Sequence, residues 1–141
     1  MILFVDDESH RVENDIDELC SRGYEVRLEE TLAGALRFLE NNRQNVDAII
    51  SDVMMPHGTS FTAEQTRDGL NTGVNFFDWV RERWPELPFI VFTNVSNAAL
   101  RQRFEQEPRC FYLEKRDVRA EELADKVHRL ISPCEPSSDQ Q

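Results

Sequence analysis

Five residues able to do chemistry each stand at the end of a short strand-like run. Asp6 and Asp7 follow Met1–Val5 directly. Asp52 lies two positions after Val46–Ile50, Thr93 directly after Leu87–Phe92, and Lys115 two positions after Arg109–Leu113. A carboxylate is expensive to desolvate unless something uses its charge. Three carboxylates in one crevice repel one another, and their pKa values rise unless a cation binds. An oxygen-rich, water-accessible cluster suits Mg²⁺ (or Mn²⁺), which takes a few carboxylates and keeps several waters. Such an ion offers positive charge to a phosphoryl group, and an ammonium and a hydroxyl can meet that group's oxygens. Aspartates are known nucleophiles that form acyl phosphates. The candidate chemistry is phosphorylation of Asp52.

That chemistry requires the five residues to meet, so the elements between them decide the matter. Met1–Val5 and Val46–Ile50 read as strands buried on both faces. Tyr24–Leu28 alternates, as an edge strand with one exposed face does. Leu87–Phe92 and Arg109–Leu113 supply a fourth and a fifth strand. Between them fall helical patterns. Val12, Ile16, Leu19 and Cys20 precede a stop at Gly23. Leu32, Ala35, Leu36 and Leu39 follow the N-cap Thr31, and Asn41–Asn42 closes the helix. Val74, Phe77, Val80 and Trp84 run up to Pro85, and a helix capped by Ser96 or Asn97 runs to Glu107. Val118–Ile131 is the last helix, broken by Pro133.

Strands alternating with helices imply a parallel sheet with helices on both faces, a (βα)5 α/β fold of three layers, α/β/α. Right-handed crossovers leave few topologies, and the doubly wound, flavodoxin-like order 2-1-3-4-5 keeps the alternating strand at an edge. Ligand crevices in such sheets lie beyond the carboxyl ends of the strands. All five residues then share one rim.

The 141 residues suit one domain, residues 1–132, with a tail at 133–141 expected to be disordered. A formal net charge of −11 argues against a direct nucleic-acid partner, whose binding surfaces are usually basic. No apolar run reaches the roughly 20 residues that span a bilayer, and Met1–Val5 lacks the flanks of a signal peptide. Cys20, Cys110 and Cys134 form no disulfide or zinc pattern. Cys20 and Cys110 read as buried small residues and Cys134 as a tail thiol, and the default compartment is a reducing cytoplasm. His10, His57 and His128 read as surface residues.

The motifs Phe4-Val5-Asp6-Asp7-Glu8, Ile50-Ser51-Asp52-Val53-Met54-Met55-Pro56, Val91-Phe92-Thr93 and Tyr112-Leu113-Glu114-Lys115 resemble those of response-regulator receiver domains of two-component signalling, the CheY-like family. The resemblance covers about residues 1–131. It implies that Asp52 is the phosphoacceptor and Asp7 a direct Mg²⁺ ligand. Asp6 would act mainly through water, and the Met54 carbonyl would be a further ligand. Lys115 and Thr93 would hold phosphoryl oxygens. In the family the threonine hydroxyl moves towards the phosphate and an aromatic ring rotates inward behind it; Tyr112 stands at that ring position. The implied donor is a histidine kinase or a phosphotransfer protein. With no room here for an output domain, the expectation is a stand-alone, non-enzymatic signalling domain that binds a downstream protein, as a monomer or weak dimer.

Four departures bear on this. Arg116 replaces the proline that usually follows the lysine and a cis peptide bond; a non-proline cis bond costs about 2.5–4 kcal/mol, so a trans or rearranged loop is expected. Asn94 replaces a small residue, and either narrows access to Asp52 or hydrogen-bonds the phosphoryl group. Residues 56–73 form an irregular insertion, read either as a lid or partner surface or as a surface loop without a role. Met54 and Val95, two positions past Asp52 and Thr93, are both apolar and cannot orient hydrolytic water, so a long-lived phospho-Asp52 is expected.

Taken singly, each residue has a duller explanation: strand-end solvation for Asp6 and Asp7, a turn cap for Asp52, a helix cap for Thr93, a surface cation for Lys115. Chance must place all five at one rim for those to hold. The chief rival is a degenerate receiver that binds proteins without phosphorylation. A haloacid-dehalogenase-type hydrolase normally has a second Asp where Met54 stands, and a flavodoxin-like cofactor binder would need a phosphate-cradling loop after the first strand.

Overall fold

The computed structural model describes residues 1–52, 72–94 and 97–131. Met54, Val95, His57, Cys134, nearly all of the 56–73 insertion and the 133–141 tail lie outside them. In chain order the described elements are β1 (Ile2–Val5), α1 (Glu13–Ser21), β2 (Val26–Glu29), α2 (Leu32–Asn42) and β3 (Ala48–Ser51). There follow α3 (Thr72–Arg83), β4 (Phe89–Thr93), α4 (Ala98–Glu105), β5 (Cys110–Glu114) and α5 (Ala120–Ile131). Short 3-10 turns at Ser9–Arg11 and Arg43–Asn45 join them.

The strands form one parallel sheet in the order β2-β1-β3-β4-β5. This is the expected doubly wound fold. β1, β3 and β4 are buried along their whole length, because helices cover both of their faces. On one face Leu3, Val5, Ile49, Phe89 and Val91 pack with Leu32, Ala35 and Leu39 of α2, Phe76, Phe77 and Val80 of α3, and Phe104 of α4. On the other, Ile2, Phe4, Ala48, Ile50, Ile90 and Phe92 pack with Val12 and Leu19 of α1 and with Leu123, Ala124 and Val127 of α5. β5 is an edge strand that alternates, with Cys110, Tyr112 and Glu114 buried.

The signals that start and stop the helices are local. Thr31 Oγ1 accepts from the Gly34 N–H at 3.0 Å and caps α2. Of the two caps weighed for α4, Asn97 is the one, its Oδ1 accepting from the Leu100 N–H at 3.0 Å. Gly23, at φ +97°, takes the left-handed conformation that ends α1.

Several expectations need correction. β3 is shorter than Val46–Ile50 and shifted towards Asp52. The Val46 N–H is spent on Arg43 in a turn, and Asp47 Oδ2 accepts from the Met1 ammonium. α3 already begins at Thr72, within the span assigned to the insertion. α4 stops at Glu105 and α5 starts at Ala120, each shorter than its apolar pattern. Cys20 is exposed rather than buried, because the inward stripe of α1 is Val12–Asp15–Ile16–Leu19 and Cys20 lies just past it. Among the described residues no helix is long and apolar enough to cross a membrane.

Candidate functional site

The ladder hydrogen bonds continue one residue past the strand ends, and they aim the site. The Asp6 N–H donates to the Glu29 carbonyl at 3.1 Å and the Asp52 N–H to the Val5 carbonyl at 3.2 Å. The Lys115 N–H donates to the Thr93 carbonyl at 2.8 Å. Each candidate side chain is thereby held at the carboxyl edge although it stands outside, or at the last position of, its strand.

Asp6 is fully buried, Asp52 is 6% exposed and Thr93 is fully buried. Lys115 reaches between the two acids: Nζ donates to Asp6 Oδ2 at 2.6 Å and to Asp52 Oδ2 at 3.0 Å. The other Asp6 oxygen accepts from the Glu8 N–H at 2.8 Å, a turn closed by the side chain itself. Asp7, next in the chain, is exposed at the rim. So the fold brings Asp6, Asp52 and Lys115 into direct contact, buries Thr93 at the end of the adjacent strand, and leaves Asp7 facing solvent. Asn94 is exposed too, and its carbonyl accepts from Arg116 Nη2 at 2.7 Å. No cis peptide occurs among the described residues, so Lys115–Arg116 is trans, and the Arg116 guanidinium instead straps the β5–α5 loop to the β4–α4 loop.

The electrostatics match an acid-rich crevice. Burial pushes the Asp6 carboxyl above its ordinary pKa, against the pull of Lys115 and the Glu8 N–H, and the Asp52 charge pushes the same way. Asp7 is raised too, by desolvation first and by the charges of Glu8 and Asp52. Burial works against the charge on Lys115, yet the bond to Asp6 and the field of both acids outweigh it, and its pKa is raised.

Three further residues bear on this edge without having been singled out from sequence. Asp15 of α1 is half-buried. Desolvation pushes its pKa up to about 6, while the charges of Lys115 and Asp6 act on it with opposite signs. Its signal was available: it fills the i+3 slot between Val12 and Ile16 on an apolar stripe. Glu114 is 8% exposed, on the same face of β5 as Cys110 and Tyr112; a glutamate in the inward register of an alternating strand is a comparable signal. Arg101 of α4 pairs with that glutamate at 2.6 Å, a contact that spacing along the chain did not suggest.

A profile of the response regulator receiver domain matches residues 2–128. The chain belongs to the response-regulator receiver family. Among solved structures, the receiver domain protein from Clostridium thermocellum is similar at 24% identity, covering 92% of each chain with a TM-score of 0.75. The non-phosphorylated HemR receiver domain from Leptospira biflexa shares 22% identity over 97% of this chain and 98% of its own, TM-score 0.74. The chemotaxis regulator CheY4 of Vibrio cholerae shares 25% over 92% of this chain and 96% of its own, TM-score 0.70. No curated protein matches in sequence.

A receiver of this kind raises the question of a divalent ion. Among the donors at the edge, the Asp6 and Asp7 carboxyls have pKa values raised first by burial and then by neighbouring acidic charges, which is the chemistry a hard cation relieves. Among the described residues no three acidic, histidine or cysteine side chains form a cage by themselves. The backbone carbonyl assigned to Met54 lies outside the described residues.

Proposed function

We propose that this receiver is phosphorylated on Asp52, with Mg²⁺ (or Mn²⁺), by a histidine kinase or a histidine phosphotransfer protein, and so alters a protein-binding surface through Thr93 and Tyr112. The observation that supports this most is the shared ammonium: Lys115 donates to both Asp6 and Asp52 at the sheet's carboxyl edge. An Asp52 carboxylate oxygen attacks phosphorus in line; the bond from phosphorus to the donor's imidazole nitrogen breaks, and that nitrogen takes up a proton. Lys115 meets one phosphoryl oxygen and the Thr93 hydroxyl another, with Asn94 at the mouth. Asp7, Asp6, Asp52 and the Met54 carbonyl would hold the metal ion, which when bound neutralises charge on the transferring group.

Incubation with acetyl phosphate and Mg²⁺, read by intact mass, tests the reading. A phosphate adduct is expected for the wild type and not for Asp52→Asn or in excess EDTA. No adduct on the wild type would overturn it. The decay of the adduct after donor removal reads the lifetime; apolar Met54 and Val95 lead us to expect persistence well beyond seconds.

A second reading draws on the same contact. The Lys115 ammonium already lies between Asp6 and Asp52 at 2.6 and 3.0 Å, where it offsets one of their two charges without a metal. A receiver stabilised in that way would act as a phosphorylation-independent binding module, and the same mass measurement separates the two.

A further inference from the structure

Two side chains, Phe104 and Arg101, close on the Tyr112 ring on the α4 side of the sheet. Tyr112 is 3% exposed and stacks on Phe104, with ring centroids 6.2 Å apart and planes inclined by 25°. The Arg101 guanidinium carbon lies 4.9 Å from the centre of the same ring. Arg101 Nη2 donates to Glu114 Oε2 at 2.6 Å, and Nη1 reaches Glu105 Oε2 at 3.4 Å. The ring is therefore covered by a cation that is itself fastened to the strand bearing the ring.

The fastening is strong for a physical reason. Glu114 is a nearly buried carboxylate and needs a partner there. A short, charge-assisted bond to a guanidinium supplies one, while the flat face of that guanidinium suits an aromatic ring. For Tyr112 to leave its place under α4, Arg101 must lift from the ring. That weakens the geometry of the ion pair and leaves the nearly buried Glu114 with the longer contact to Arg116 Nε at 3.9 Å.

We propose that the Arg101–Glu114 pair is a latch that biases Tyr112 towards its buried place before Asp52 is phosphorylated. Arg101 is a positioning residue in this scheme: it sets the resting population of the ring, from which phosphorylation of Asp52 then shifts it. The inference rests on the reading of Tyr112 as the switch residue. It goes beyond that reading by assigning the set-point of the switch to a pair on α4 and β5 outside the acidic site.

The test uses the full chain labelled with 3-fluorotyrosine, followed by fluorine NMR in H₂O and D₂O. The chain has two tyrosines, and Tyr24→Phe assigns the Tyr112 signal. Wild type, Arg101→Met, Glu114→Gln and the charge-swapped double variant Arg101→Glu/Glu114→Arg are compared with and without phosphoramidate and Mg²⁺. Without phosphodonor, the wild-type Tyr112 signal is expected to show a small solvent isotope shift. In each single variant the exposed population without phosphodonor should rise roughly tenfold, and phosphodonor should then move the signal further than it does in the wild type. The charge swap should restore the wild-type signal. An unchanged Tyr112 signal in both single variants overturns the latch, and so does a change that the swap does not reverse. Glu114→Gln, which preserves shape, keeps the proposal falsifiable if Arg101→Met fails to fold. Intact mass on the same samples separates the two ideas: absence of a phosphate adduct overturns the proposed function, while the samples without donor still decide the latch.

Discussion

Lys115 and Asp6, 109 positions apart in the chain, meet at 2.6 Å, and this bond ties the loop after the last strand to the loop after the first. The acid is fully buried, so removing the ammonium leaves a carboxylate with too little compensation. Lys115→Met is expected to lower stability at neutral pH by about 2–3 kcal/mol. Mg²⁺ should recover part of that loss, because it supplies charge to the same oxygens. Urea melts with and without Mg²⁺ check both; a midpoint equal to that of the wild type would show that the pair contributes nothing net.

Asp15 makes stability depend on pH in the direction opposite to a salt-bridged acid. Its folded pKa, about 6, stands above the ordinary 3.8. The folded state therefore holds the proton more tightly, and the contribution of Asp15 to stability falls as pH rises from about 4 through about 6. Above that window the folded state carries a poorly solvated charge. Asp15→Asn should be more stable than wild type at pH 7.5 by about 1 kcal/mol, allowing for its partial exposure to solvent, and equal to it near pH 4. Melting curves across this range read the difference, and a gap that widens in acid would contradict the assignment.

Arg81 holds the carbonyls at the amino ends of β4 and β5 together. It donates to the Pro85 carbonyl at 2.5 Å, to Pro108 at 2.7 Å and to Arg109 at 3.1 Å. Arg109 itself sits at φ +54°, a strained backbone that these bonds help to fix. Arg81→Ala is expected to cost about 2 kcal/mol by chemical denaturation. Phosphate uptake from acetyl phosphate should stay unchanged, since the contacts lie at the opposite end of the sheet from the acids.

The cysteines should separate by reactivity. Cys110 is buried and desolvation pushes its thiol pKa up to about 12, so little thiolate forms at pH 8. Cys20 is exposed. Alkylation of the native protein followed by peptide mapping should label Cys20 within minutes and Cys110 only after unfolding. Equal labelling would mean that β5 opens readily.

The strand and helix order was legible because each element carries its own period and its own stop signal. Buried parallel strands read as apolar runs, and Thr31, Asn97 and Pro85 mark ends by local chemistry. The convergence of Asp6, Asp52, Thr93 and Lys115 at one edge followed from topology alone. What spacing concealed were the polar residues on inward registers. Asp15 interrupts an apolar stripe and Glu114 an alternating strand, and each looks like a surface charge until its face is counted. Cys20 failed for the complementary reason: it was counted onto the stripe that Asp15 completes. The pairing of Arg101 with Glu114 depends on how α4 lies against β5, which no local period encodes.

The sheet order has a consequence for how the molecule assembles. β1 lies inside the sheet while β5, made after the other four strands, closes one margin of it. Until that strand docks, Asp6 and Asp52 have no ammonium between them, and long-range pairing of this sort is slow. The acidic edge thus matures late in folding, and a nascent chain that stalls before β5 carries two mutually repelling carboxylates where the folded protein holds an ammonium between them.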